Sequence, residues 1–88
     1  MRAYEWDEAK RQRNYDRHSL DFDDIHVFDW ATATIVQDGR QDYGEERYIA
    51  TGLFLDRLTV LVFTIREGNY RIISWRKANE REQKAYGL

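Results

Sequence analysis

The last third of the chain carries Arg66, Arg71 and Arg76, which are accompanied by Lys77 and Glu82. Clustered guanidinium groups suit a phosphate ester, because each presents several N–H donors in a fixed fork that matches phosphate oxygens. Cleavage of RNA without a metal ion needs such donors for the charge-rich phosphorane. It also needs a base for the 2′-hydroxyl and an acid for the leaving 5′-oxygen, roles open to a carboxylate or a lysine. These residues therefore indicate a candidate site for phosphate chemistry.

The strands that carry these side chains determine which of them can act together. Strict alternation along the last predicted strand places Arg71, Ile73, Trp75 and Lys77 on one face, and Ile72, Ser74 and Arg76 on the other. Arg66 ends the preceding strand, across a short turn, while Glu46 and Arg47 open the strand before that.

An ordinary surface role explains the same arginines without any chemistry. They can form salt bridges with the nearby acidic side chains, which are Glu45, Glu46, Glu80 and Glu82. Exposed pairs of this kind contribute little to stability and are frequent on protein surfaces. From the residues alone, this alternative carries the greater weight.

Length and composition limit the classes of protein that the chain can represent. Its 88 residues predict one domain, 1–88, without a second core. The absence of cysteine excludes a disulfide scaffold, a thiolate zinc site and a cysteine nucleophile. The five glycines are scattered, so no Gly-rich phosphate loop is present, and His18 and His26 lack metal-ligand spacing. Neither a metal ion nor a cofactor is therefore expected.

Charge is divided unevenly along the chain. Residues 1–56 carry 7 basic and 13 acidic side chains, whereas residues 57–88 carry 7 basic and 3 acidic ones. The acidic part offers a surface to a basic segment of a partner. Neither early helix is expected to have a strongly basic face, which argues against direct DNA binding. The apolar stretches are too short to span a bilayer and the first residues lack an apolar signal segment, so a cytoplasmic location is expected.

The hydrophobic pattern predicts an α+β fold that begins with two helices. The first runs from an N-cap at Asp7 to about His18, and because it is almost entirely polar, Trp6 and Tyr15 are expected to anchor it. The second is short and is capped by Asp21. Its expected buried stripe consists of Phe22, Ile25, Val27 and Phe28.

The rest of the chain predicts a four-stranded antiparallel meander and a C-terminal helix. The strands are expected at 32–36, 47–55, 58–65 and 70–75, and the helix at 80–86 after a cap at Asn79. A polar loop is expected at 41–46. Trp75 fits either the core or a surface on which a base stacks, and the area that a tryptophan buries in so small a domain favours the core.

Several segments, taken together and in order, resemble a known family. They are 4–7 with Lys10, Asn14 and His18; Phe22 with 27–29; 42–47; Gly52; 60–64 with Arg66; and 71–78 with Arg81, Glu82 and Tyr86. This order resembles the BrnT family, the toxins of BrnT/BrnA type II toxin–antitoxin systems, over nearly the whole chain.

The resemblance implies a RelE-like fold and a ribonuclease that inhibits growth by cutting RNA. Carried over by position, it implies a catalytic site with Arg66, Arg76, Lys77 and Glu82, supported by Arg47 and Arg71 as RNA-binding residues. Since arginine does not usefully deprotonate near neutral pH, Glu82 or Glu46 is the candidate proton carrier. The implied partner is a BrnA-type antitoxin that dimerises and binds DNA, so that DNA is contacted only through the antitoxin.

A binding module without catalysis is the alternative function. A toxin-like domain of this kind docks an antitoxin helix or another partner protein and cleaves nothing. Docking of an antitoxin is expected under both functions, so only an assay of RNA cleavage separates them.

Overall fold

The fold of the computed structural model combines a mixed sheet with two α-helices and a 3₁₀ helix, over residues 3–40 and 44–88. In chain order the elements are β1 (Tyr4–Glu5), α1 (Glu8–His18), the 3₁₀ helix (Phe22–Val27), β2 (Thr34–Gln37), β3 (Arg47–Phe54), β4 (Arg57–Arg66), β5 (Asn69–Lys77) and α2 (Glu80–Tyr86). The polar loop predicted at 41–46 lies partly outside the described residues, which omit 41–43.

The sheet has five strands in the order β1-β5-β4-β3-β2. The prediction of an α+β fold is confirmed, and β2 to β5 form the expected antiparallel meander. The prediction of four strands is wrong, because β1 pairs in parallel with the start of β5, with Tyr4 opposite Tyr70 and Glu5 opposite Arg71. Two residues are too few to show an alternating pattern, which is why the sequence did not reveal this strand.

The second helix is a 3₁₀ helix rather than an α-helix. Its apolar residues Phe22, Ile25 and Phe28 are spaced by three, which matches the three residues per turn of a 3₁₀ helix and puts all of them on the core side. Val27 falls between turns and is 43% exposed, so its predicted place in the buried stripe is wrong. The N-cap at Asp21 is present as expected.

The main core lies on one face of the sheet, called here the core face, under α1 and the 3₁₀ helix. Trp75 is fully buried there, which excludes its use as an exposed stacking surface. Its indole N–H donates to the Thr59 hydroxyl, and that hydroxyl donates to the Gly52 carbonyl, at 3.0 Å each. Gly52 is also required for space, because a Cβ there would lie 2.7 Å from the Phe28 ring.

Helix α1 is fixed to the sheet by a polar side chain. The Asn14 amide donates to the carbonyls of Trp75 and Leu20, at 2.8 and 3.1 Å, and its carbonyl oxygen accepts from the Trp75 N–H at 3.0 Å. Asn14 thus pairs with the free edge of β5 as another strand would. Tyr15, expected to anchor the helix, is 49% exposed, so that prediction is wrong. A buried asparagine in a polar helix looks like a surface residue in the sequence.

A β-bulge interrupts the pairing of β4 with β5. Phe63 is opposite Ile72 but Val62 is opposite Ser74, so Ile73 is the extra residue. The bulge shifts the alternation by one, and Arg71 and Arg76 therefore lie on the same face. The prediction that they lie on opposite faces is wrong, because strict alternation does not allow for an inserted residue.

No helix in the ranges 3–40 and 44–88 is long and apolar enough to cross a membrane.

Replacing Asn14 tests its role in fixing α1. Asn14→Ala leaves the N–H and carbonyl of Trp75 without partners in a buried place, and we expect it to lower the free energy of unfolding by about 2–4 kcal/mol. Tyr15→Ala on the same helix is the control, with an expected change within about 0.5 kcal/mol. Denaturant unfolding followed by tryptophan fluorescence measures both. Equal losses in the two variants would contradict the role given to Asn14.

Candidate functional site

The face of the sheet opposite the main core carries four arginines and is called here the arginine face. Arg47 and Arg71 both lie opposite Thr64, on the strands at either side of it. Neighbouring strands are ~4.8 Å apart, so these two arginines flank a central threonine in one row. Arg66 is two residues beyond Thr64 on the same face, and Arg76 lies opposite Val60 towards the other end. The bulge in β5 puts Arg76 on the same face as Arg71.

Helix α2 covers the other end of the arginine face. Its Tyr86 packs with a small cluster of Leu58, Val60 and Ala78, and the Tyr86 hydroxyl donates to the Thr32 carbonyl at 2.7 Å. The helix begins at a capping box in which Asn79 and Glu82 exchange hydrogen bonds, as the sequence predicted for the Asn79 cap. The open part of the face is therefore the part around Arg47, Arg66 and Arg71, whereas Arg76 lies at the end that α2 covers.

Glu45 joins two of the arginines. One of its carboxylate oxygens accepts from Arg66 at 2.9 Å and the other from Arg47 at 3.4 Å. These two guanidinium groups, Arg66 foremost, lower the pKa of the Glu45 carboxyl. Sequence reasoning named Glu45 only as an ion-pair partner. The loop before β3 gave no signal that one carboxylate would hold both arginines.

Glu82 holds Arg76 in a two-point salt bridge. Both oxygens of the Glu82 carboxylate accept from the Arg76 guanidinium at 2.8 Å, and one also accepts from the Asn79 N–H at 2.9 Å. The bonds to Arg76 lower the pKa of Glu82 to about 2, and Glu82 in turn raises the pKa of Arg76. A carboxylate of such low basicity is a weak proton acceptor. Its main effect is to fix the orientation of Arg76.

Arg71 is held more loosely than the other arginines. Its guanidinium lies 3.6 Å from the Glu5 carboxylate, a separation that is beyond hydrogen-bond distance. The pair exists because β1 places Glu5 opposite Arg71 in the sheet register. Arg71 therefore keeps N–H donors available to a ligand.

Two predicted site residues do not join the arginine face. Lys77 lies opposite Thr59, whose hydroxyl contacts Trp75, and so belongs to the core-face side of β5. Glu46 accepts a hydrogen bond from the Tyr48 hydroxyl at 2.9 Å, and the Tyr48 ring stacks on the core residue Phe63. The Glu46 carboxylate therefore lies at the end of the sheet where β3 begins, on the core-face side.

A groove of about 260 Å³ lies between α1 and the outer edge of β5. Its lining contains Lys10, Arg13, Asn14, Arg17, His18, Ile73 and Ser74. Burial, followed by the nearby charges of Arg17, Arg76 and Lys77, lowers the pKa of His18 and so favours the neutral imidazole. The expectation that neither early helix has a basic face is thus wrong for α1. That expectation rested on the net acidic charge of the N-terminal part of the chain, but none of its described acidic side chains lines the groove.

In the described part of the chain, no three His, Asp or Glu side chains are grouped in a way that could hold a metal ion.

The bond between Arg76 and Glu82 makes stability depend on pH. A carboxyl whose pKa is lowered on folding stabilises the fold above its unfolded pKa of 4.5 and loses that effect as the pH falls towards about 2. We expect Glu82→Gln to cost about 1–2 kcal/mol of unfolding free energy above pH 5, and the difference from the parent to vanish near pH 2. Denaturant unfolding across this range measures it. Glu80→Gln is the control, and a constant difference at all pH values for Glu82→Gln would contradict the assignment.

Comparison with known proteins identifies the family. The crystal structure of the Brucella abortus ribonuclease toxin BrnT matches with a TM-score of 0.73 and 28% identity, over 91% of this chain and 100% of that one. A comparison with curated protein sequences gives no significant match. The family model described as the ribonuclease toxin BrnT of type II toxin–antitoxin systems matches residues 6–82. The chain therefore belongs to the BrnT family of ribonuclease toxins.

Proposed function

We propose that the chain is a metal-independent endoribonuclease that inhibits translation and growth by cutting RNA at the arginine face. The observation that carries the proposal is the placement of Arg47, Arg66, Arg71 and Arg76 on one face of the sheet, which Arg76 shares with Arg71 because of the bulge at Ile73. Family membership supports a ribonuclease toxin. We also propose that the fold is RelE-like and that the enzyme is a hydrolase.

The arginines supply what the reaction needs most, which is stabilisation of negative charge. Attack of a 2′-hydroxyl on its own phosphate forms the new P–O bond as the bond to the 5′-oxygen breaks, and the extra negative charge collects on the phosphorane oxygens. Fixed guanidinium donors aimed at these oxygens lower the barrier. Arg66 is assigned to this charge together with Arg47 and Arg71, which lie beside it. Arg76, which the resemblance placed in the same catalytic site, lies opposite Val60, six residues or ~20 Å along β4 from Arg66, so it is assigned to a flanking phosphate. Each guanidinium has five N–H donors, so a carboxylate partner does not exhaust it.

Removal of the 2′-hydroxyl proton is assigned to Glu46, and the leaving 5′-oxygen takes its proton from water. Glu46 is exposed, and no salt bridge involves it among residues 3–40 and 44–88. Its carboxylate is on the core-face side, so it reaches the RNA around the end of the sheet, where its neighbour Glu45 holds Arg66. Glu82, which the sequence suggested as an alternative carrier, is assigned to positioning Arg76, because of its low pKa. Lys77 is assigned to a phosphate at the core-face side of β5.

The partner of the toxin is an antitoxin. Membership of a type II toxin–antitoxin family implies such a protein. We propose that it is of the BrnA type, that it forms a hetero-oligomer with this chain, and that it supplies all contact with DNA. The cytoplasm is the proposed location, since the RNA substrate is there.

A non-catalytic docking module is the second candidate. The observation that favours it is that the four arginines of the face lie in salt bridges with Glu5, Glu45 and Glu82. An RNA phosphate must compete with these carboxylates, whereas a docked protein need not.

Cleavage of a labelled RNA in the presence of a chelator separates the two functions. We expect the parent to cut the RNA and leave 2′,3′-cyclic phosphate ends, and Arg66→Ala/Arg76→Ala to cut at least about a hundredfold more slowly. Glu46→Gln should lose about a hundredfold as well, as general base removal does. The charge-matched control is Arg57→Ala/Lys84→Ala, two exposed cations away from the face.

Two results would contradict the proposal. Equal cleavage by the parent and by Arg66→Ala/Arg76→Ala would place the site elsewhere. A folded parent that cuts neither free RNA nor RNA on translating ribosomes would support the docking module instead.

A further inference from the structure

We propose that the groove between α1 and the outer edge of β5 binds backbone phosphates of single-stranded RNA and leads the strand onto the arginine face. The inference rests on the proposed function, because it names the surface by which the same substrate is held. It gives a function to Lys10, Arg13 and Arg17, for which the reaction itself has no use.

The three cations form one row along α1. Their spacing of three and four residues places Lys10, Arg13 and Arg17 on the same side of the helix. With a rise of ~1.5 Å per residue, the row is about 10 Å long. All three side chains are exposed. In the described chain none of the three takes part in a salt bridge, whereas the arginines of the arginine face do.

The lining of the groove suits phosphate rather than bases. It contains no carboxylate that would repel or compete with a phosphate. Among the described residues, the one aromatic ring of the lining is the His18 imidazole, so binding is mainly to the backbone and depends little on sequence. The Asn14 amide is occupied by Trp75 and Leu20, which leaves the cations, the Ser74 hydroxyl and an N–H of the His18 imidazole as the donors to a ligand.

The groove is continuous with the arginine face. Ser74 lines the groove, and in the sheet register it lies between Arg71 and Arg76 on the arginine face. The charges of Arg76 and Lys77 also act on His18 in the groove. An RNA strand held along α1 therefore reaches Arg76 by passing the bulge.

RNA is favoured over an acidic protein segment as the occupant. Each nucleotide carries one phosphate charge, and a row of cations matches that regular array. A docking peptide gains most of its affinity from buried apolar side chains. Ile73 is the apolar residue of the lining and is half-buried already.

The test is binding of a fluorescent 2′-O-methyl RNA oligonucleotide, which cannot be cleaved because it lacks a free 2′-hydroxyl. We expect Lys10→Ala/Arg13→Ala/Arg17→Ala to raise the dissociation constant at least about tenfold at low salt. The plot of log binding constant against log salt concentration should become less steep by about 2, since each of the three lost phosphate contacts on a single strand contributes about 0.7 to the steepness. The charge-matched control is Arg57→Ala/Arg81→Ala/Lys84→Ala, whose residues do not line the groove.

A second variant guards against loss of structure. Arg13→Lys/Arg17→Lys keeps the charges and should bind within about threefold of the parent. Equal affinity and equal salt slope in the parent and the triple groove variant would overturn the groove proposal and leave the proposed ribonuclease standing. A parent that binds no RNA would overturn both. Poly-glutamate of equal charge binding the groove as tightly as the RNA would overturn it in favour of an acidic protein segment.

Discussion

The pairing of the Asn14 side chain with the backbone of Trp75 is the interaction on which the other features depend. Strand β1 covers the edge of β5 only at Tyr70 and Arg71, so beyond that point the edge has free N–H and carbonyl groups. Asn14 satisfies those of Trp75 from helix α1. The same contact fixes the helix against the strand, keeps the indole in the core and forms the basic groove. Because a small domain buries little apolar surface, one fully hydrogen-bonded buried amide makes a substantial contribution to its stability.

The bulge at Ile73 is the second constraint, because it decides which side chains share a face. Without the extra residue, Arg71 and Arg76 would project from opposite sides of the sheet. With it, both project away from the main core, and Ser74 lies between them. The carboxylates of Glu45 and Glu82 then hold the arginines in place before any ligand is bound. Such preorganisation favours a charge that develops during the reaction, although it makes each phosphate compete with a carboxylate.

The sequence was sufficient where local signals decide the structure. Asp7 and Asn79 are capping residues at the starts of α1 and α2, and the apolar run in β4 fits a central strand. The sequence was insufficient where the structure depends on contacts between residues that are far apart in the chain. Nothing near Asn14 shows that it meets a residue 61 positions away. The bulge depends on how β4 and β5 pair. Residue types singled out Arg66, Arg71 and Arg76, and the resemblance gave them roles in a site, but neither showed the faces on which they lie or the role of Glu45.

On the proposed path, RNA passes from the groove along β5 onto the arginine face. NMR titration of ¹⁵N-labelled protein with a 2′-O-methyl RNA oligonucleotide follows this path, since arginine Nε–H and backbone amide signals report each position separately. We expect shifts at Arg13 and Arg17, at the Ser74 amide, and at Arg71 and Arg76. Shifts confined to strand β2 or helix α2, with these signals unchanged, would contradict the proposed path.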